Sequence, residues 1–527
     1  MGTKINSNYS DLLTFTRASK GHALRPVSYG DELVTNGTFD TDTTGWTANN
    51  SSLSVVSGKL RLTQQGVGLG FAQTTVTTVV GKLYRFEWDY IAGTSATPTA
   101  RLGSASLAAD IINVSADSNG INFVATSSTT YVNFRMAGTT DGLYATFDNV
   151  SVKEVTFDQP DGTLTLFEHP VNVPRVEWDS AGNRLGLLVE EARTNLHTYS
   201  QDFSNSYWNK TAATISTDVT TAPDGTTTAD KLVVNNATAD TEKFVNRNIY
   251  AYVNQTVTGS VFLKKAEYTW VQVNLYNLSS NPNRVWVNLD TGAVGTNLSS
   301  IPVTVTDVGN GWYRVALTAT IQQVGNAFMT VAVADADGDL YTNIGDEESG
   351  TFLWGAQLEA GSFPTSYIKS NSGSTTTRSA DVASIPVDDF GYNQSAGTLY
   401  AEFDVNTLSD QINGGVVVLI ADAGDNRIRI NTVSDNIRGQ IRKDASNSFS
   451  VSVSGYGSST GEKVALAFKE NDAAFVISGA TLDTDSSVAI PRIETLQVAG
   501  NSFCGHLKST KYYPRRLTNA QLQDLTS

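Results

Sequence analysis

Cysteine is almost missing: Cys504 is the single thiol in 527 residues, so an intrachain disulfide is excluded. Four histidines are too few for a His-rich metal centre. Apolar runs stay short, the longest being 414–420, which is strand length and far below a membrane-spanning helix. Basic patches are lacking too, since Lys264-Lys265 and Arg515-Arg516 are only pairs in a chain of net charge −16. Such a balance repels phosphate backbones and anionic head groups, so neither nucleic acid nor membrane insertion is expected. The first residues carry no signal-peptide hydrophobic region, and Asn6 stands where a myristoylation signal needs Ser or Thr. Packing, sheet hydrogen bonds and subunit association must therefore hold the fold.

What is abundant points to strands. Thr, Ser, Asn and Val dominate, with 43 Gly and only 12 Pro, and β-branched side chains pack well on a pleated surface. A hydrophobic share of 40% fills several cores rather than leaving the chain disordered. The expected class is all-β: tandem β-sandwich (jelly-roll) domains joined by short connectors.

Taken in order, residues 1–30 read as a polar arm with one strand candidate at 12–17, too poor in apolar residues to fold alone. Alternating runs and turns at 31–155 read as a first sandwich. A connector at 156–195 carries hairpin turns at Asp161-Gly162 and Ala181-Gly182-Asn183, with Pro170 and Pro174 interrupting regular pairing. A second sandwich spans 196–370; its aromatic start (Phe203, Trp208) and aromatic last strand (Phe352, Trp354) suggest a weak internal duplication. Residues 371–390 have the composition of a flexible spacer. A third sandwich fills 391–527 and ends in a capping box, Thr518 and Gln521, on a short helix whose Leu522 and Leu525 turn inward.

Resemblances add to this reading. The block LLVEEARTNL-x-x-YSQDFSN-x-x-W within 183–210, then FLWGAQLEAG at 352–361 and Ser366-Tyr367-Ile368, resembles tail-fibre and other virion surface proteins of tailed bacteriophages over about residues 11–385. That likeness implies a surface appendage of the virion, attached to other virion proteins through its N-terminal arm, homotrimeric, and facing host cell-surface polysaccharide. Leu33, Asn36, Gly37, Phe39 and Trp46, with Asp148, Asn149 and Val150 near the end of 31–155, resemble carbohydrate-binding jelly rolls appended to glycosidases. In such modules an acid near Asp148 helps hold a structural Ca²⁺, although Asp148 also reads as a turn residue bonding its own backbone. Phe39 and Trp46 read as core plugs, leaving Trp88 or Tyr90 as the candidate sugar-stacking aromatics. Asp335, Asp337 and Asp339 resemble the start of a calcium loop without its full twelve-residue pattern; a solvated acidic loop is the other reading. The final strand, YYPRRL and helix are similar to laminin-G and concanavalin-like sandwiches.

That last fold also houses glycanases, which set carboxylates on one strand as E-x-D-x-x-E. Glu402 and Asp404 fit the first two places, but Thr407 stands where the acid belongs. Cys504 and His506 share a strand face without an orienting third group, so a buried structural cysteine is the better reading. No enzyme is expected. The expected function is a structural phage protein recognising host glycans. The alternatives are a capsid decoration or head fibre, a polysaccharide depolymerase, and a secreted adhesin.

Overall fold

The computed structural model describes the chain except residues 1–13, 96–97, 117–119, 236–241, 250–253, 278–282, 322–326, 340–344, 372, 406–414, 422–425, 434–435, 457–458, 480–481 and 501–502. It divides into two units, residues 26–163 and residues 1–25 with 164–527. Both are built of antiparallel strands, and the described helical residues are confined to one 3-10 turn, Val387–Asp389, and the helix Asn519–Thr526.

In residues 26–163 the long strand Tyr144–Phe157 pairs with Leu83–Gly93 on one side; on the other it meets Leu60–Gln64 first and then residues 27–32. A second sheet runs Thr47–Asn49, Phe71–Thr77, Thr129–Arg135, Thr99–Gly103, Ile112–Ser115. Alternate residues face inward: Leu60 and Leu62 from one sheet, Ala72 and Val76 from the other, share one core. Its centre is an aromatic chain in which Phe39 meets Trp46 at 5.3 Å, Trp46 meets Phe134 at 5.9 Å, and Phe134 stacks on Phe147 at 4.0 Å. Phe39 and Trp46 are thus core plugs.

The two carbohydrate-module-like motifs touch. Gly37 O accepts a hydrogen bond from Val150 N at 2.9 Å, and a Cβ on Gly37 would sit 1.9 Å from Val150 O. Asn36 and Asn149 both adopt left-handed backbone, which asparagine tolerates better than most side chains. The hairpin expected at Asp161-Gly162 does not form between 155–157 and 164–167, because Val155 and Phe157 pair with Tyr29 and Val27 instead. A turn signal records local geometry and not the partner of the strands it joins.

The second unit contains two further sandwiches. In one, a sheet ordered Asn209–Thr211, Phe244–Ile249, Ala327–Ala334, Trp270–Asn277, Arg284–Asn288, Val294–Asn297 faces another ordered Ala213–Thr220, Ala229–Val234, Gly350–Ala360, Thr256–Lys265, Trp312–Thr320, Val303–Asp307. On Thr256–Lys265, Val261 and Leu263 point into that core. Phe262 points outward and is covered by Leu24, Leu166, Trp354 and Tyr367.

The last sandwich is completed by distant segments. One sheet begins with Thr14–Thr16 and Val382–Pro386; the other begins with Arg175–Trp178 and Arg184–Val189, which lead onto Gly505–Tyr513 and Ala396–Val405. So the arm from Thr14 onward and the connector hairpin are structural strands of the third sandwich, and Phe15 is buried in its core. The start of the 12–17 strand candidate lies outside the described residues. The stretch expected as a flexible spacer holds two strands, Thr376–Arg378 and Val382–Pro386, because distant partners supply hydrogen bonds that its composition could not announce. At the chain end, Thr518 and Gln521 make the capping box, and Leu522 packs under the helix against Tyr400 and Val476.

Gly37→Ala is expected to destabilise the 26–163 unit by about 3 kcal/mol or more, since backbone must move to admit the methyl. Gly58→Ala, with open space around it and only its positive φ as a penalty, should cost no more than about 1–2 kcal/mol. Thermal unfolding of both variants checks the contrast.

Candidate functional site

The two phage-like blocks meet inside the second unit. Glu190 follows the strand Arg184–Val189 and turns into a buried cluster, where its carboxylate accepts from Ser366 N and Oγ, both at 2.6 Å. Arg175 reaches Glu190 at 2.9 Å and also binds Asp381; Arg378 lies 3.5 Å from Glu190, and Arg17 reaches the other oxygen of Asp381 at 3.2 Å. Asp381 further accepts from Glu190 N at 2.9 Å. Every one of these side chains is at most 3% exposed. Just beyond, Asn195 donates to Ala356 O and Ile368 O and accepts from Leu358 N, closing the 187–196 block onto both downstream blocks.

Burial alone would push the Glu190 carboxyl up, but Arg378, Arg175 and the Ser366 donors outweigh it and hold the group at about 2. Burial likewise opposes the charge on Arg175, which Asp381 and Glu190 raise above its ordinary value. For Arg17, burial and the neighbouring Arg175 win over Asp381, lowering it to about 10. The same burial, with Arg25, Arg175 and Arg17 nearby, keeps His169 neutral far below the usual imidazole range. Cys504 is buried beside this junction, its sulfur accepting from Glu191 N at 3.3 Å, and burial pushes its thiol up and out of reactive range.

Next to the cluster, the connector hairpin and the second sandwich enclose a cleft of about 380 Å³. Phe262, Phe363 and Tyr367 are apolar surfaces within it, and Thr304, Thr306 and Asp307 come from the edge strand Val303–Asp307. The hairpin supplies Glu177, Trp178 and Asp179. Glu177 is paired with His506 at 2.6 Å, and Arg314 is anchored through Thr365 O at 2.7 Å and Ser260 Oγ at 2.9 Å. A second groove, of about 730 Å³, is lined by 191–194, Gln255, Thr256, Gly361 and Thr377. Its charged side chains, Glu191 and Arg193, already bind one another at 2.6 Å.

The candidate residues from sequence do not converge on either place. Trp88 is 2% exposed, donates its indole N–H to Ala116 O at 2.7 Å and packs on Phe86 at 4.5 Å, so it has no face to offer a sugar. Tyr90 is half-buried against Phe147 in the same core. Asp148 is buried within the strand Tyr144–Phe157; one oxygen takes Lys59 at 2.7 Å and the other accepts from Asn149 N at 2.9 Å. Asp335, Asp337 and Asp339 are exposed. Asp337 accepts from Thr296 N at 2.7 Å, and Asp339 uses its backbone oxygen for Trp286 Nε1. Among the described residues no group of three His, Cys, Asp or Glu is placed to hold a metal ion. Glu402 accepts from Tyr400 OH at 3.3 Å and Asp404 pairs with Lys508 at 2.9 Å; Thr407 lies outside the described residues. Sequence reasoning missed Arg17, Arg175, Arg378 and Asp381, which sit in unremarkable local contexts and are joined only by the fold.

No protein-family model matches the chain. None of the curated proteins matches it either. Among solved structures it aligns with the CBM22-1–CBM22-2 tandem domain of Paenibacillus barcinonensis Xyn10C at 10% identity, covering 63% of this chain and 98% of that one, with a TM-score of 0.21. Domains LG4-5 of the mouse laminin α1 chain align at 9% identity over 51% and 86%, TM-score 0.19, and Trypanosoma rangeli sialidase at 8% over 96% and 94%, TM-score 0.23. Likenesses this weak carry no argument about function, and the all-β tandem-sandwich architecture rests on the sheets themselves.

Asp381→Asn should cost about 3–5 kcal/mol, because it leaves Arg17 buried without its counter-charge and Arg175 with Glu190 alone. Lys265→Ala breaks only a surface pair with Asp290 and should cost less than about 1 kcal/mol. Chemical denaturation of the two variants tests the difference.

Acid should destabilise the fold. Glu190 lies below its ordinary 4.5, so its contribution is complete above about pH 4.5 and is lost as pH falls toward 2, roughly 3 kcal/mol in all. His169 and His197, both lowered from 6.5 by burial, act in the same direction from about pH 6.5 downward, because the unfolded chain takes up protons that the native state refuses. Tm should fall steadily between pH 7 and pH 3; a flat profile would contradict the buried cluster.

Proposed function

We propose that this chain is a structural, non-catalytic surface protein of a tailed bacteriophage, a tail fibre or similar appendage, that recognises glycans on the host surface. The observation that carries the reading is the contact between the two phage-like blocks. Glu190 of the first block receives both donors of Ser366, and Asn195 receives Leu358 N from the second. Two separated stretches that resemble one class of protein by chance have no reason to meet; here each completes the hydrogen bonding of the other. The resemblance therefore falls on an architectural joint, which suits a part whose task is to hold modules in place.

Non-catalytic action is supported by the state of the acids. Glu402 and Asp404, the strand pair a concanavalin-like glycanase would use, are taken up by Tyr400 and Lys508, and Glu190 and Asp381 are clamped by arginine. In this proposal the chain attaches to other virion proteins through its N-terminal residues and assembles as a homotrimer, so that weak single contacts with host polysaccharide sum to useful avidity.

Incubating the purified full chain with a panel of bacterial surface polysaccharides should show binding without release of new reducing ends. Release of reducing ends would make it a depolymerase, and absence of binding to every polysaccharide would remove glycan recognition. Labelling intact phage particles with antibody to the chain should mark a tail appendage; label on the head would make it a head fibre or decoration.

A further inference from the structure

We infer that the cleft between the connector hairpin and the edge strand Val303–Asp307 binds an uncharged pyranose unit of a polysaccharide, an assignment that rests on the glycan-recognition reading above. The cleft's volume, about 380 Å³, is at the small end for ligand pockets, which run about 300–1,000 Å³. That is room for one or two sugar rings and too little for a folded partner.

Its chemistry is mixed in the way a sugar requires. A pyranose has apolar C–H faces and a rim of hydroxyls that both donate and accept. Half-buried Trp178 supplies the aromatic surface, and Phe363 and Tyr367, at 6% and 1% exposure, only back the lining. Thr304 and Thr306 are exposed on the edge strand and offer hydroxyls. Arg314 is held in the lining by Thr365 O at 2.7 Å and Ser260 Oγ at 2.9 Å, which fixes the plane of its guanidinium.

Charge selects among sugars. Glu190 is neutralised by Arg175 and Arg378, and Glu177 is hydrogen-bonded to His506. Asp179 and Asp307 have no ion-pair partner among the described residues; Asp179 accepts from Asn183 N and Nδ2, Asp307 accepts from Gly309 N, and both line the cleft. Arg314 is the single arginine or lysine among the lining residues described. On a chain of net charge −16, this arrangement admits neutral hydroxyls and repels uronates and sialates.

The test uses the full chain with methyl glucoside and N-acetylglucosamine as neutral probes and glucuronate as the charged one, followed by saturation-transfer NMR and titration. Neutral probes should bind, and glucuronate should bind at least about tenfold more weakly. Thr306→Trp, which fills the cleft from an exposed position, should weaken neutral-sugar binding by about tenfold or more with Tm unchanged. Asp307→Asn, which leaves the shape intact, should narrow the gap between glucose and glucuronate. Unaltered binding in Thr306→Trp together with an unaltered gap in Asp307→Asn would overturn this site while leaving glycan recognition standing elsewhere on the chain. Glucuronate binding as well as glucose would overturn the assignment to an uncharged sugar. Failure of the chain to bind any saccharide would overturn both.

Discussion

Asp381 takes Arg17 on one carboxylate oxygen and Arg175 on the other, with Glu190 and Arg378 completing the buried group. These side chains come from the arm, the connector and the segment after the second sandwich. Burial of ions is costly, and a well-packed apolar cluster could match it in stability. What an ion cluster adds is direction. Guanidinium and carboxylate meet in a fixed plane, whereas hydrophobic surfaces slide. The cluster therefore sets where three otherwise weakly structured segments lie against the second and third sandwiches.

That constraint explains why the third sandwich is not a self-contained bead. Its two sheets take their first strands from Thr14–Thr16 and from the 175–189 hairpin. Arg17 and Asp381 are separated by 364 positions, so closing this part of the fold must wait until most of the chain exists. Contacts of such range are slow to form because chain entropy is lost before they stabilise anything. A truncated third sandwich, lacking arm and hairpin, would expose unpaired strand edges on both sheets.

The placement of aromatics and polar groups follows the same division. Inside the sandwiches, aromatics at inward strand positions are consumed by the core, as Trp88, Phe134 and Phe403 are. A surface concavity with polar walls arises instead where connector and sandwich edge fail to close on one another, at Trp178, Thr306 and Asp307. Recognition is therefore better sought at the seams between elements than on the sheets that define them.

Much of this was legible in the residues. Period-two alternation at 59–62 and 131–136, the Gly and Asn turns, the helix cap at Thr518 and the core character of Phe39 and Trp46 all follow from local sterics and from which face of a strand must be buried. The joint could not be read the same way. Nothing local distinguishes Arg175 or Asp381 from surface charges, and nothing in the 371–390 composition reveals that strands 376–378 and 382–386 find partners almost two hundred and almost four hundred residues earlier. The chain's own pattern settled strands, turns and cores, because those depend on neighbours in sequence. Which strand lies beside which, where charges are buried and where a cleft remains were decided only by the tertiary fold, because those depend on neighbours in space.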